Sequence, residues 1–262
     1  MQYAQIHDMT VEAAREAGAA IRGFFQNEYN VTYKGKDNPL TDADLAANDA
    51  IERRLRYALP DTGWLSEESV DDADRLGKSA CWIVDPLDGT KDFIKKNGEF
   101  TVNIALIENQ SPIFGVVYVP AIDLLFWGSI ENGAWKKETH NPIQSISVSS
   151  QMQETTQIAA SRSHPSAKMN AFLGQFKKYE LQPMGSSLKI CRVADGTVHL
   201  YPRLGPTMEW DTAAAHAILK SAGGEMLQTA SNVPLKYNKQ NLLNPEFIAG
   251  NQNFLRGLEP FI

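Results

Sequence analysis

Two cysteines in 262 residues are too few for a disulfide framework, and Cys81 and Cys191 stand far apart with no CxxC spacing near either. That excludes a zinc ribbon and a thioredoxin-like redox motif, and the expectation is two buried free thiols, one in a strand-like run and one in a helix-like run. No apolar run approaches the ~20 residues that a bilayer span requires. The opening "MQYAQIHDMTVEAAREAG" lacks the basic-then-apolar order of a secretory signal. A cytoplasmic protein is expected, with loose attachment to the inner face of a membrane left open. Positive charge is also scarce: 25 Lys and Arg face 31 Asp and Glu, a formal net charge of −6. A nucleic-acid surface would show the opposite balance, so nucleic acid is not an expected partner, and any anion must be held by a few placed groups. Repeats and low-complexity tracts are absent as well.

What is present is a chain with 43% hydrophobic residues, enough for one large domain or two medium ones sharing an interface. From Thr10 to Phe25, the residues Val11, Ala14, Gly18, Ile21 and Phe25 recur at helical spacing. A second helix opens at Thr41 as N-cap, carries Leu45, Ile51, Leu55 and Leu59 inward, and ends at Pro60. The polar stretch "YKGKDNPLTDAD" between them reads as a loop. The runs "CWIV", "TVNIALIE", "PIFGVVYVP" and "DLLFWGSI" are short, β-branched and aromatic, and form an antiparallel meander closing on "ENGAW". Strand and helix signals alternate beyond residue 155. The expected organisation is an α+β sub-domain over residues 1–155 and a smaller α/β sub-domain over 156–262.

Chemistry concentrates at "CWIVDPLDGTKDF", where an apolar strand runs into Asp85 and Asp88 around a proline. Alone, the pentapeptide DPLDG suits an ordinary solvated turn. Its flanks argue otherwise. Trp82, Ile83 and Val84 anchor Asp85 at the end of a buried strand, where an unpaired carboxylate is costly and a cation should compensate it. Pro86 fixes φ and bends the chain, which can swing Asp88 back beside Asp85 and turn the Leu87 carbonyl toward the same point. Two carboxylates and a carbonyl are hard oxygen ligands of the kind magnesium accepts. Gly89 and Thr90 then offer backbone N–H groups to a phosphate. Further acids stand at Glu67 and Glu68 after another apolar stub, and at Asp211 before an alanine-rich helix; singly, these also suit a solvated loop and a helix N-terminus.

Taken together, Glu67–Glu68, "DPLDGT", and "WD" followed by eleven residues and "GG" at Gly223 and Gly224 resemble the signature of the inositol monophosphatase superfamily of magnesium-dependent, lithium-sensitive phosphomonoesterases. Within it, "SRSH" at 161–164 and the stretch 185–218 are similar to the bacterial-type 3'(2'),5'-bisphosphate nucleotidases. The resemblance implies a layered α-β-α-β-α sandwich. It also implies hydrolysis of adenosine 3',5'-bisphosphate to AMP and phosphate in sulfate assimilation, with an inositol or sugar monophosphatase as the alternative activity. It makes Glu67, Asp85, Asp88, Asp211 and the Leu87 carbonyl the ligands of two or more Mg2+ ions. It assigns the attacking water to Glu67 and Thr90, with Asp44 orienting or deprotonating the Thr90 hydroxyl. His164, Ser186, Lys189 and Arg203 fall where similar enzymes hold the nucleotide and its non-reacting phosphate. A catalytically silent phospho-ligand sensor is disfavoured, because all the implied catalytic acids are present. One departure from the pattern is Ala215, where relatives usually carry glycine, and it implies an altered pocket floor.

Overall fold

The computed structural model describes residues 3–27, 29–35, 38–151, 153–162 and 166–258. Its first helix, α1 (Tyr3–Gln26), starts earlier than the Thr10 boundary read from periodicity and buries Ala13, Ala14, Ala17 and Ile21. The stretch expected to be a loop holds a short antiparallel hairpin, β1 (Val31–Gly35) and β2 (Asn38–Thr41). Helix α2 (Asp42–Leu55) comes next, and the Thr41 backbone N–H donates to Asp44 Oδ2 at 2.8 Å, half of a capping box. The buried stripe of α2 runs through Ala43, Ala47, Ile51 and Leu55 at four-residue steps. Leu45 lies off that stripe and is 47% exposed, so it is not an inward residue. Leu59 lies beyond the helix, which ends at Leu55 and not at Pro60.

A seven-stranded sheet succeeds the two helices, in chain order: β3 (Thr62–Ser66), β4 (Ala80–Asp88), β5 (Thr101–Glu108), β6 (Ser111–Val119), β7 (Leu124–Ser129), β8 (Gly133–Lys137) and β9 (Gln144–Ile146). A short helix, α3 (Thr90–Ile94), interrupts it after β4. Strands β3 and β4 are parallel and the rest form the antiparallel meander read from the sequence. The central strands are buried along nearly their whole length, and this explains why they read as continuous apolar runs. Helices α1 and α2 cover one face.

The second sheet has the order β11-β10-β12-β14-β13. Its elements in chain order are β10 (Thr156–Ala160), α4 (Ala167–Leu173), β11 (Tyr179–Pro183), α5 (Leu188–Ala194), β12 (Leu200–Arg203), α6 (Ala213–Ser221), β13 (Gly224–Gln228), β14 (Phe247–Asn251) and α7 (Gln252–Arg256). Helices α5 and α6 are buried between the two sheets, and α4 and α7 pack on the far face of the second, which gives the expected α-β-α-β-α layering. Two glycines let α6 lie directly on the first sheet: a Cβ at Gly115 would sit 2.2 Å from the Ala214 carbonyl, and one at Gly128 would sit 3.0 Å from Ile218 Cα. That close approach brings the residues preceding α6 to the ends of β3 and β4. Both cysteines are free and buried. Among the described residues, no helix is long and apolar enough to cross a membrane.

Candidate metal centre

Strands β4 and β5 pair in regular antiparallel register up to Asp85 opposite Asn103, and the register then shifts so that Asp88 stands opposite Thr101. Three steps along β4 thus match two along β5, which is a one-residue bulge. In an unbroken strand, residues three apart point to opposite faces; the bulge returns Asp88 to the side of Asp85. Pro86, expected from the sequence to bend the chain here, lies within the register shift. On the other flank, β3 runs parallel to β4 with Ser66 beside Val84, and the Glu67 backbone N–H donates to the Val84 carbonyl at 3.1 Å. Glu67 is therefore delivered next to Asp85 by strand pairing.

Asp211 arrives from the turn before α6. Thr212, not Asp211, caps that helix, and the Met208 backbone N–H donates to Asp211 Oδ2 at 2.9 Å. Carboxylate oxygens of Glu67, Asp85 and Asp211 lie within 4.8 Å of one another. Asp85 is 1% exposed; its Oδ1 accepts from the Leu87 backbone N–H at 3.0 Å, while Oδ2 is buried without a hydrogen-bond partner among the described residues. Burial first, and then the charges of Glu67, Asp88 and Asp211, push the Asp85 carboxyl well above its usual range. Burial and the neighbouring Asp88 push Asp211 up to about 8 against the Met208 hydrogen bond. Three like charges gathered around an orphaned buried oxygen make a site that a divalent cation relieves. An all-oxygen donor set suits a hard ion such as Mg2+.

Asp88 lines the same cavity but stands outside this trio. Its Oδ2 accepts from Ser186 Oγ at 2.7 Å, from the Ser187 backbone N–H at 2.7 Å and from Ser187 Oγ at 3.0 Å. Asn103 Nδ2 in turn donates to Ser187 Oγ at 2.9 Å. Asp44 is 1% exposed, and Thr90 Oγ1 lies 3.1 Å from its Oδ1 and 3.3 Å from the Leu87 carbonyl. The Thr41 hydroxyl and backbone N–H hold the other oxygen of Asp44. Gly89 adopts φ +92°, which its lack of a side chain permits, at the start of α3.

The cavity holding these groups measures about 920 Å3 and is lined by five acidic and five basic side chains among the described residues. The basic ones are Lys91, Lys95, Arg162, Lys189 and Arg203. Lys189 is only 7% exposed, donates to the Ser186 carbonyl at 2.8 Å and sits over the Tyr201 ring; burial pulls its ammonium down to about 8. Arg203 is braced by the carbonyls of Gly205 and Pro206. Ser186 lines the cavity too, whereas His164 lies outside the described residues. Trp210 packs on the central core. Ala215 is fully buried in the core and does not line the cavity, so its methyl does not shape the pocket floor. Sequence reasoning missed Ser187, Asn103 and Arg162. Arg162 stood inside the "SRSH" motif; Ser187 and Asn103 gain their roles only through pairing between distant segments, a signal that no local motif carries.

The sequence profile of the inositol monophosphatase family matches residues 2–258. The chain is 41% identical to the 3'(2'),5'-bisphosphate nucleotidase CysQ of Buchnera aphidicola over 92% of each protein. It is also 41% identical to the enzyme of that name from Escherichia coli strain K12, over 92% of this chain and 97% of the relative. Among solved structures, CysQ from Bacteroides thetaiotaomicron superposes with a TM-score of 0.85 at 38% identity, covering 95% of this chain and 98% of that one. An inositol monophosphatase from Anabaena superposes with a TM-score of 0.74 at 25% identity over 99% and 98%.

Proposed function

This chain belongs to the inositol monophosphatase family, and from that membership and the chemistry of the cavity we propose that it is a Mg2+-dependent 3'(2'),5'-bisphosphate nucleotidase that hydrolyses adenosine 3',5'-bisphosphate to AMP and phosphate. The observation that carries this reading is the trio Glu67, Asp85 and Asp211 around an unpartnered buried oxygen, in one cavity with five cationic side chains. Divalent cations, when bound, neutralise phosphate oxygens and make water a stronger acid. Glu67, Asp85 and Asp211, with Asp88 and the Leu87 carbonyl, would hold two or more such ions.

The remaining work falls to the chain itself. Backbone N–H groups of Gly89 and Thr90 receive the reacting phosphate. Glu67 and the Thr90 hydroxyl position the attacking water, and Asp44, buried and hydrogen-bonded to Thr90 Oγ1, orients or deprotonates that hydroxyl. His164, Ser186, Lys189 and Arg203 take the nucleotide and its non-reacting phosphate, Arg203 as a braced planar fork and Lys189 as a point charge. Their cationic side suits a doubly phosphorylated substrate better than a polyol monophosphate. The substrate is a small molecule, no nucleic acid is involved, and the enzyme works in the cytoplasm.

Turnover of adenosine 3',5'-bisphosphate and of inositol 1-phosphate is compared side by side, with Mg2+ and with chelator. The expected result is chelator-sensitive hydrolysis with the bisphosphate strongly preferred. Equal or faster turnover of inositol 1-phosphate would replace this reading with an inositol monophosphatase, and activity that survives chelation would remove the metal from it.

A further inference from the structure

Glu99 lies at the end of the loop between α3 and β5 and does not line the reaction cavity. Its carboxylate nevertheless ties together two segments that do. Oε2 accepts from the Gly185 backbone N–H at 2.6 Å, and Oε1 is paired with the Arg162 guanidinium. The Glu99 backbone N–H donates to Asn97 Oδ1 at 3.0 Å, and Asn97 Nδ2 donates to Asp92 Oδ1 at 2.5 Å, so the loop presenting the carboxylate is itself knotted. The fit at Gly185 is flush: a Cβ there would lie 2.8 Å from Asp92 Oδ2 and 3.0 Å from the Glu99 carbonyl.

The two serines after Gly185 give this anchor its importance. Ser186 adopts φ +54°, a left-handed conformation that a non-glycine residue holds only when its surroundings fix it. In that conformation Ser186 Oγ, Ser187 N and Ser187 Oγ converge on a single oxygen of Asp88. We propose that Glu99 is a positioning residue: by holding the Gly185 amide it locks the 185–187 turn, and the locked turn sets the Asp88 carboxylate for a divalent cation. Arg162 keeps the Glu99 carboxylate oriented from its other side. This inference rests on the reading of Asp88 as a metal ligand.

The test uses the full chain. Binding of Mg2+ alone is measured by calorimetry, alongside kcat and KM for the bisphosphate and the melting temperature in chelator. Glu99→Ala should weaken Mg2+ binding about tenfold, the size expected when a charge-assisted hydrogen bond is lost, and lower kcat/KM for the bisphosphate. Glu99→Gln should restore binding to within about threefold of wild type, because the amide carbonyl still accepts from Gly185. Gly185→Ala, whose Cβ would press on Asp92 Oδ2 and the Glu99 carbonyl and push the turn away from them, should reproduce the Glu99→Ala loss. The inference is overturned if Glu99→Ala binds Mg2+ like wild type, or if Glu99→Gln is as impaired as Glu99→Ala, which would make charge and not the Gly185 bond the operative feature. If Glu99→Ala does not fold, Gly185→Ala decides, and wild-type binding by that variant overturns the inference. Wild-type protein that binds no Mg2+ fails the metal reading itself, a result visible before any variant is made.

Discussion

Two groups of acids, Glu209 with Glu225 and Glu67 with Asp85 and Asp211, are solvated by the protein in opposite ways. Glu209 is fully buried, and its carboxylate accepts from the Asn238 N–H at 2.6 Å, the Lys239 N–H at 3.0 Å and Lys239 Nζ at 2.5 Å. Glu225 is likewise engaged by His216 Nε2 at 2.5 Å and the Met226 N–H at 2.9 Å, and these partners hold its carboxyl below the usual range despite burial. Asp85, by contrast, has an oxygen with no partner among the described residues and shares its site with Glu67 and Asp211. Asp85 and Glu209 are equally buried carboxylates, and what differs between them is the supply of donors. An acid that the fold has satisfied is structural, and an acid that the fold has buried among its own kind without enough donors awaits a cation.

The sharpest way to break this comparison is Asp85→Asn. Activity with Mg2+ should fall by at least about a thousandfold, because a liganding charge is removed where the transition state needs it. The same substitution should raise the melting temperature in chelator, since it relieves repulsion from Glu67, Asp88 and Asp211. Retained activity, or a lower melting temperature without metal, would show that Asp85 is an ordinary satisfied acid. Glu209→Gln is the mirror image: it removes the charge paired with Lys239 and turns one of two accepting oxygens into an NH2 donor facing N–H groups, and it should cost about 2–3 kcal/mol in denaturant melts while the folded protein still turns over substrate. A stable Glu209→Gln would erase the distinction from the other side.

How far this contrast could be seen in the sequence depends on where each acid's partners come from. Asp85, Asp88, Thr90 and Glu67 sit at strand ends marked by apolar runs and turn residues, so their clustering was legible. Asp211 was legible as an acid before an alanine-rich helix, although the helix cap proved to be Thr212. The bulge that turns Asp88 was not, because it is a mismatch between β4 and a strand that follows it, and neither strand shows it alone. Glu209, His216 and Glu225 carried no motif; what makes them structural is contact with Tyr237, Asn238 and Lys239, which only tertiary folding supplies. The hairpin β1–β2 was missed because its residues are polar and glycine-bearing, and Leu45 was misplaced because alanines, not leucines, carry the buried stripe of α2.

A pH series on metal-free protein sharpens the contrast without mutation. The Asp211 carboxyl is raised to about 8 in the folded state from an ordinary value of 3.8, and Asp85 is raised in the same direction. The folded state therefore holds protons that the unfolded chain releases, so stability contributed by these protonated carboxyls is full below the unfolded value and is lost as pH rises through about 8. Glu225 is shifted the other way, so its contribution is present above the ordinary carboxylate value and is lost as pH falls through its depressed folded one. Melting temperatures in chelator should thus decline from about pH 5 to pH 9, and Mg2+ should restore them most at the alkaline end. A flat profile in chelator would mean that the site acids are already neutralised within the fold.

The smallest effect is expected at Ala215, which lies on α6 and does not line the cavity. Its methyl is fully buried against the central core, so Ala215→Gly removes packing and a good helix former together. That should cost roughly 1 kcal/mol or slightly more, seen as a modest drop in melting temperature. Because α6 still rests on Gly115 and Gly128, the turn carrying Asp211 keeps its place, and kcat/KM for the bisphosphate should stay within about twofold of wild type. A large gain or loss in kcat/KM would mean that the methyl acts on the pocket through α6, and the separation of the satisfied acids Glu209 and Glu225 from the metal-seeking trio would no longer hold.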